Sequence, residues 1–184
     1  KSVNELNISF SFSEPMSAFS NGYLTVSPAS VLPSHTCTAL DGSNQTISCT
    51  IDTSGLDSSD NGIYTFKVTG IDASGNSMDS QYTLGMAEVD RSSPNASLNS
   101  ITPANVNKNT SQITVVFTVT EPLAVAPAVK IGSEKTLTSP SSVSGLQYTY
   151  IFSDLSGITD GPKMLTVQMR DMADNTYAKD FSGL

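Results

Sequence analysis

Two short acidic segments contain the residue types of a cation site. The segments "GIDASGNS" (70–77) and "RDMADNT" (170–176) each place an Asp and an Asn four positions apart, after a run of alternating apolar residues. Carboxylate and amide oxygens are the ligands of calcium, which takes about six to eight of them. Asp and Asn also close hydrogen-bonded turns without an ion, helped by a glycine such as Gly75 in a left-handed backbone conformation. The sequence alone leaves both interpretations open.

These segments lie at corresponding places in an internal repeat. "LNISFSFSEP" from Leu6 aligns with "ITVVFTVTEP" from Ile113, and both reach Glu-Pro after apolar residues at alternate positions. Further along, "DNGIYTFKVTGIDASGN" (60–76) aligns with "TDGPKMLTVQMRDMADN" (159–175). A period of two predicts strands with one buried face, and proline ends a strand because it has no backbone N–H to donate.

The composition favours strands over helices. About 50 residues are Ser or Thr, and no segment shows an apolar stripe of helical period. Each repeat offers about seven short strands with turn signals such as Asn61-Gly62, which is typical of a β-sandwich. The sequence therefore predicts an all-β chain with two tandem sandwiches, residues 1–88 and 89–184. The first repeat has almost nothing before its first matched strand, so its opening strand is either missing or supplied from elsewhere.

Two cysteines, Cys37 and Cys49, lie in "HTCTALDGSNQTISCTI". Equal spacing on either side of Ser43 places them opposite each other on one face of a hairpin, where a cross-strand disulfide can form. Two buried free thiols are the alternative. A disulfide indicates an extracellular or periplasmic setting. In the second repeat, "VKIGSEKTLT" is the predicted hairpin and contains no cysteine.

The charge pattern argues against some classes of partner. The net charge is −8, of which residues 1–88 carry −7 (2 Lys against 9 acids) and residues 89–184 carry −1 (7 Lys or Arg against 8 acids). Because no basic stripe is available to neutralise phosphates, nucleic acid is not expected as a partner. No window approaches the roughly 18 consecutive apolar residues that cross a bilayer, so direct membrane insertion is not expected.

No set of residues predicts catalysis. His35 is the single histidine and has no counterpart in the second repeat, so a Ser-His-Asp or Cys-His centre has little to build on. The 17 acids leave a paired-carboxylate glycosidase open by inventory, but none of them stands in an apolar stretch of sequence. The chain is therefore predicted to be non-catalytic.

Three motifs together carry a family resemblance. Strands end in "FSEP" and "VTEP", late strands run into "DASGN" and "DMADN", and the linker between the repeats reads "DRSSPNAS". In this order they resemble the bacterial immunoglobulin-like (Big-type) repeats of extracellular surface and adhesin proteins. The resemblance covers nearly the whole chain twice and implies two immunoglobulin-like β-sandwich domains. Tyr64 falls where the tyrosine corner of such sandwiches would lie, whereas the second repeat has Lys163 there.

The resemblance also implies where a cation would bind. In an immunoglobulin-like sandwich, the loop after the second strand and the loop between the last two strands lie at the end that faces the preceding domain. A calcium ion at the junction of the two domains would stiffen the chain. Its candidate ligands are Asp90, Glu121, Asp171, Asp174 and Asn175. A less complete set in the first repeat comprises Glu14, Asp72 and Asn76.

The function implied by the resemblance is structural. The expected role is a stalk or filament segment, or an adhesion module, of a larger extracellular or cell-surface protein. Expected partners are neighbouring repeats or subunits, and a surface receptor protein or glycan. One alternative is a carbohydrate- or protein-binding module carried beside a secreted enzyme, although the chain has no Trp to form an exposed platform. Another is a filament subunit whose first domain is completed by a strand from a neighbouring molecule.

Overall fold

The computed structural model describes residues 4–18, 23–28 and 34–182. These residues form four small antiparallel sheets and no α-helix, so the predicted all-β class is confirmed. In the part of the chain that is described, no helix is long and apolar enough to cross a membrane. The chain divides into two compact units, with the division between Ser92 and Ser93.

The first unit has six strands in its described residues, arranged in two three-stranded sheets. They are β1 (Glu5–Ser11), β2 (Leu24–Ser27), β3 (His35–Ala39), β4 (Thr46–Asp52), β5 (Gly62–Val68) and β6 (Tyr82–Val89). One sheet has the order β1-β4-β3 and the other the order β2-β5-β6. A short 3-10 helix, Ser58–Asp60, precedes β5 and is capped by Asp57.

Alternation along β4 places one of its faces in the core of this unit. Ile47, Cys49 and Ile51 are buried, and the residues between them are partly exposed. Side chains from the other sheet pack in the same core, namely Leu24, Val26, Tyr64 and Phe66. This is the pattern of strands that bury one face only.

The second unit has eight strands in two four-stranded sheets. They are β7 (Ala96–Thr102), β8 (Ile113–Val119), β9 (Ala128–Ile131), β10 (Lys135–Leu137), β11 (Ser142–Ser144), β12 (Gln147–Phe152), β13 (Met164–Arg170) and β14 (Thr176–Ser182). The sheets have the orders β11-β12-β8-β7 and β10-β9-β13-β14. The inward side chains of β8 are completely enclosed, with Ile113, Val115, Phe117 and Val119 at most 2% exposed.

The two units repeat one strand order. Strands β1, β4 and β3 correspond to β8, β12 and β11, and strands β2, β5 and β6 correspond to β9, β13 and β14. Strands β7 and β10 have no counterpart among the described residues of the first unit. The segment "VKIGSEKTLT" does form a hairpin, β9 with β10. The counterpart of the cysteine hairpin β3-β4 is a different one, β11 with β12.

Candidate functional site

The turn after β13 is built around the carboxylate of Asp171. Its Oδ1 accepts hydrogen bonds from the backbone N–H groups of Ala173 and Asn175, each at 2.8 Å. Its Oδ2 accepts one from the side-chain amide of Asn175 at 2.9 Å. Asp171 is only 1% exposed. The carboxylate is therefore held by donors of its own loop, as in an Asx turn.

The turn after β5 contains the same hydrogen bonds. Oδ1 of Asp72 accepts from the backbone N–H groups of Ser74 and Asn76, and its Oδ2 accepts from the Asn76 amide, all at 2.8 Å. The side-chain and backbone donors of Asn76 lower the pKa of Asp72 below its usual value, because they favour the charged form. Both acidic segments thus form hydrogen-bonded turns, which is one of the two interpretations that the sequence left open.

A left-handed residue occurs at the same place in both turns. Gly75 has φ of 90° and Asp174 has φ of 68°. Asp174 therefore occupies a position that favours glycine. Its Oδ1 lies 3.0 Å from Nη1 of Arg170, so a cation that takes Asp174 as a ligand must compete with this ion pair.

Glu121, a predicted ligand outside this turn, also lies close to Asp171 in the second unit. Carboxylate oxygens of the two residues lie within 4.8 Å of each other. The backbone explains this proximity, because Leu123 pairs with Asp171 and the Ala124 N–H donates to the Arg170 carbonyl at 2.9 Å. Asp171 is buried and Glu121 is half-buried. Because neither carboxylate is fully exposed, water screens the repulsion between their negative charges only in part. A divalent cation bound between them would relieve that repulsion.

Asp90 belongs to the first unit and directly follows β6. Its Oδ1 accepts from the Asn61 amide and from the Ser92 N–H, each at 3.0 Å. Asn61 in turn accepts from the Arg91 N–H at 2.7 Å, and the Arg91 guanidinium donates to the Thr53 carbonyl at 2.6 Å. Asp90 and Arg91, the first residues of the predicted linker, are therefore hydrogen-bonded to the first unit. Asn61 makes most of this connection, and the sequence marked it only as a turn signal.

The first repeat also brings its Glu-Pro segment to its acidic turn. Met16 pairs with Asp72, and the Ala73 N–H donates to the Pro15 carbonyl at 3.1 Å. Glu14 itself is exposed. The predicted cation set of Glu14, Asp72 and Asn76 stays a prediction.

Cys37 and Cys49 form a disulfide between β3 and β4. They are direct partners in the strand register, with their Cα atoms 4.0 Å apart. The connecting turn is closed by Asp41, whose carboxylate accepts from the backbone N–H groups of Ser43, Gln45 and Thr46. The hairpin register predicted from the spacing around Ser43 is the one that the structure has.

Tyr64 bonds to the backbone of the loop before β5, and Lys163 stands at the corresponding position of the second unit. The Tyr64 hydroxyl donates to the Asp60 carbonyl at 2.9 Å, and burial of the ring raises its pKa. Nζ of Lys163 instead donates to Glu134 Oε1 at 2.7 Å and to the Thr159 hydroxyl at 2.6 Å. The side-chain hydrogen bond from Lys163 lowers the pKa of Glu134.

The second unit also has an open cleft of about 800 Å³. It lies between the segment that precedes β8 and the loop from Ser153 to Lys163, and it includes Lys108, Asp154 and Lys163. None of the described residues that line it is aromatic. The cleft therefore offers polar contacts but no stacking surface for a sugar ring.

No model of a known protein family matches the chain, and no curated protein matches it in a sequence search.

Proposed function

We propose that the chain is a non-catalytic structural module of an extracellular or cell-surface protein, with two immunoglobulin-like sandwiches in tandem. The observation that carries this proposal is the repetition of one strand order in two consecutive units. When its strands are lettered A, B, C, C′, D, E, F and G from β7 onwards, the second unit has the sheets A-B-E-D and C′-C-F-G. This supports the proposal, because constant-type immunoglobulin-like sandwiches pair an A-B-E-D sheet with a C-F-G sheet, to which C′ adds one edge strand here.

Two further features support an extracellular structural role. Disulfides such as Cys37–Cys49 persist in oxidising compartments and are rare in the cytosol. The hydrogen bond from Tyr64 to the backbone four residues upstream is that of the tyrosine corner in immunoglobulin-like sandwiches. Repeated sandwiches of this kind suit a stalk or filament segment, because each unit adds length without needing a catalytic site.

Mechanical unfolding of the intact chain tests the structural role. A chain pulled from its two termini should extend in two separate events, one for each unit, because each has its own core. Smooth extension without resolved events would contradict a load-bearing role. Specific turnover of a substrate by the chain would contradict the non-catalytic part of the proposal.

Calcium binding in the second unit is part of the proposed role. Glu121 and Asp171 supply two carboxylates with oxygens within 4.8 Å. Asp174 and Asn175, in the turn after β13, complete the proposed ligand set within the second unit; Asp174 would exchange Arg170 for the ion. Extracellular calcium modules bind with dissociation constants of about 0.1 to 1 mM, and an ion in this range would be held at extracellular concentrations.

Calorimetric titration of calcium into the intact chain tests this site. Glu121→Gln should weaken binding by about tenfold or more, because it removes one carboxylate of the pair while keeping the side-chain shape. Glu134→Gln is the matched control, since Glu134 is already paired with Lys163. Equal affinities of the wild type and Glu121→Gln, or no binding up to about 10 mM calcium, would remove calcium from the proposal.

A second candidate function is an accessory ligand-binding module, which the 800 Å³ cleft favours. Its polar lining suits a small polar ligand or a peptide better than a stacked sugar ring. A glycan array and a peptide array probed with the intact chain distinguish the two candidates. Specific binding that is lost in Lys108→Ala would favour the accessory module over the structural role.

A further inference from the structure

The sheet β10-β9-β13-β14 of the second unit has a shallow depression of about 690 Å³. Gln168 and Arg170 of β13 line it from the outer face of the sheet, since the residues that alternate with them are buried in the core. In the register, Gln168 pairs with Ala128 of β9 and with Ala178 of β14, and Arg170 pairs with Thr176. Three neighbouring strands therefore form this depression.

The depression has a single charge. Among the described residues that line it, Arg170 is the one charged residue. The larger cleft of the second unit differs, because Lys108 and Lys163 stand there beside Asp154 and Asp160. An anionic ligand in the depression would meet an attractive charge and no carboxylate in the lining to repel it.

The guanidinium of Arg170 suits a carboxylate in particular. Its planar N–H groups can donate two parallel hydrogen bonds to the two oxygens of one carboxylate. The side chain is 46% exposed, so a ligand can reach it. Its Nη1 lies 3.0 Å from Oδ1 of Asp174. A carboxylate of the same chain thus already stands beside the guanidinium.

The rest of the lining suits a sugar ring. Gln168, Thr138 and Thr176 have amide and hydroxyl groups that can donate to or accept from sugar hydroxyls. The small side chains of Ala128 and Ala178 leave an apolar floor for the C–H face of a ring. Polar groups around an apolar floor are the usual composition of a small-molecule site.

The position of the depression argues against an extended peptide as the ligand. Strand β13 pairs with β9 on one side and with β14 on the other. Its backbone N–H and C=O groups are used within the sheet, whereas a peptide held by main-chain hydrogen bonds needs a free strand edge. Recognition in the depression therefore depends on side chains, which favours a ligand rich in hydroxyl groups.

We propose that this depression binds a carboxylated sugar whose carboxylate pairs with Arg170, and that Asp174 competes with the sugar for the guanidinium. The side chains of Arg170 and Asp174 are 46% and 45% exposed. An exposed ion pair of this kind changes an equilibrium constant by only about twofold to fivefold. A ligand that adds hydrogen bonds to its hydroxyls can therefore displace Asp174.

Calcium would control this competition, a consequence that rests on the calcium site proposed above. Asp174 is one of the proposed calcium ligands, so an ion that takes its carboxylate leaves Arg170 available to the sugar. Calcium should then strengthen sugar binding by about twofold to fivefold. Because linked binding equilibria are reciprocal, the sugar should strengthen calcium binding by the same factor.

Two matched sugars provide the test. Methyl glucuronide has a carboxylate where methyl glucoside has a hydroxymethyl group, and the two are otherwise alike. Each is titrated into the intact chain and followed by amide NMR signals. The glucuronide should shift the signals of Gln168, Arg170 and Thr176 and should bind at least about tenfold more tightly than the glucoside.

Variants of the intact chain separate recognition from competition. Arg170→Gln should weaken glucuronide binding by about tenfold or more. Lys130→Gln is the matched control, because it removes a positive charge from β9 outside the lining and should bind like the wild type. Asp174→Asn should strengthen binding by about twofold to fivefold without calcium, since Asn tolerates the left-handed backbone there but does not form the ion pair. A gain of affinity cannot result from misfolding.

Four results would overturn the proposal. They are the absence of glucuronide binding, equal binding of the two sugars, glucuronide binding that survives Arg170→Gln, and tighter binding of a short polyglutamate peptide than of the glucuronide. The calcium site is judged separately. If Asp174→Asn strengthens sugar binding and calcium does not, the sugar site is supported and Asp174 is not a calcium ligand. If calcium binds but neither it nor Asp174→Asn changes the sugar affinity, the competition is refuted and the calcium site stands.

Discussion

Asp72 and Asp171 accept the same three hydrogen bonds but differ in burial. Each carboxylate closes its turn through two backbone N–H groups and one Asn side chain. Asp171 is 1% exposed, whereas Asp72 is half-buried. Removing a buried acceptor leaves its donors without water as a substitute, and this makes the loss larger.

Replacement of the two residues should therefore have unequal effects. Asp171→Ala should lower the free energy of unfolding of the second unit by about 2 to 4 kcal/mol, because three donors lose a charged acceptor. Asp72→Ala should lower that of the first unit by less. Urea denaturation of the two variants gives both values. Equal losses would show that burial does not set the contribution of this turn.

The Asp41 turn predicts a dependence on pH. Several hydrogen-bond donors lower the pKa of Asp41 to about 2, and the backbone N–H of Gln45 contributes most to this shift. In the unfolded chain the pKa of an Asp is about 3.9. The ionised carboxylate therefore stabilises the fold above about pH 4, and this contribution is lost as the pH falls from about 4 to about 2.

The urea midpoint of the first unit, followed from pH 5 to pH 2, measures this effect. It should fall less steeply in Asp41→Asn than in the wild type, because Asn has no carboxylate to protonate. Asp79→Asn is the control, because it removes a carboxylate of the first unit at an exposed position outside the Asp41 turn. Identical pH courses for Asp41→Asn and the wild type would contradict the assignment.

Among the elements, the long alternating strands are those that the sequence predicts best. β1 and β8 follow from apolar residues at every second position, and β3 with β4 follows from the equal spacing of the cysteines. Strands of three or four residues, such as β10 and β11, are too short to show a period. For this reason the sequence could not tell which hairpin of the second repeat corresponds to the cysteine hairpin.

Hydrogen exchange of the intact chain distinguishes a paired strand from an open one. The amides of Asn7 and Ser9 in β1 should exchange at least about a hundredfold faster than those of Thr114 and Val116 in β8. The N–H groups of the first pair point away from β4, to a side where no described strand pairs with β1, whereas those of the second pair point to β7. Equal protection would show that the edge of β1 is already covered.

For the molecule as a whole, the sequence shows the repeat but does not show that the matched strands of the two units differ in burial. Alignment of Leu6 with Ile113 predicts equivalent strands, yet it cannot show that one is half-buried and the other enclosed, because burial depends on the neighbouring strand. The sequence also named Glu121 and Asp171 as neighbours, and the second unit brings them together. It could not foresee that Asp174 pairs with Arg170 or that Asn61 holds Asp90, since these contacts depend on the exact positions of side chains.

Reduction of the disulfide should affect only one of the two units. The bridge joins residues 12 positions apart, and opening a loop of this size should cost the first unit about 3 kcal/mol. Urea unfolding with and without a reductant should move one transition and leave the other in place. The double variant Cys37→Ala with Cys49→Ala should no longer respond to the reductant. A shift of both transitions would show that the units do not unfold independently.

Tyr64 in the first unit and Lys163 at the corresponding position of the second make the two units respond differently to ionic strength. The bond from Tyr64 to a backbone carbonyl involves no charged side chain, so dissolved ions hardly affect it. Lys163 and Glu134 form an ion pair whose side chains are 16% and 21% exposed, so dissolved salt can weaken it in part. The Debye length, over which charges are screened, shortens from about 30 Å at 0.01 M salt to about 3 Å at 1 M. Moving the protein from dilute to concentrated salt would therefore loosen the loop before β13 and leave the loop before β5 unchanged.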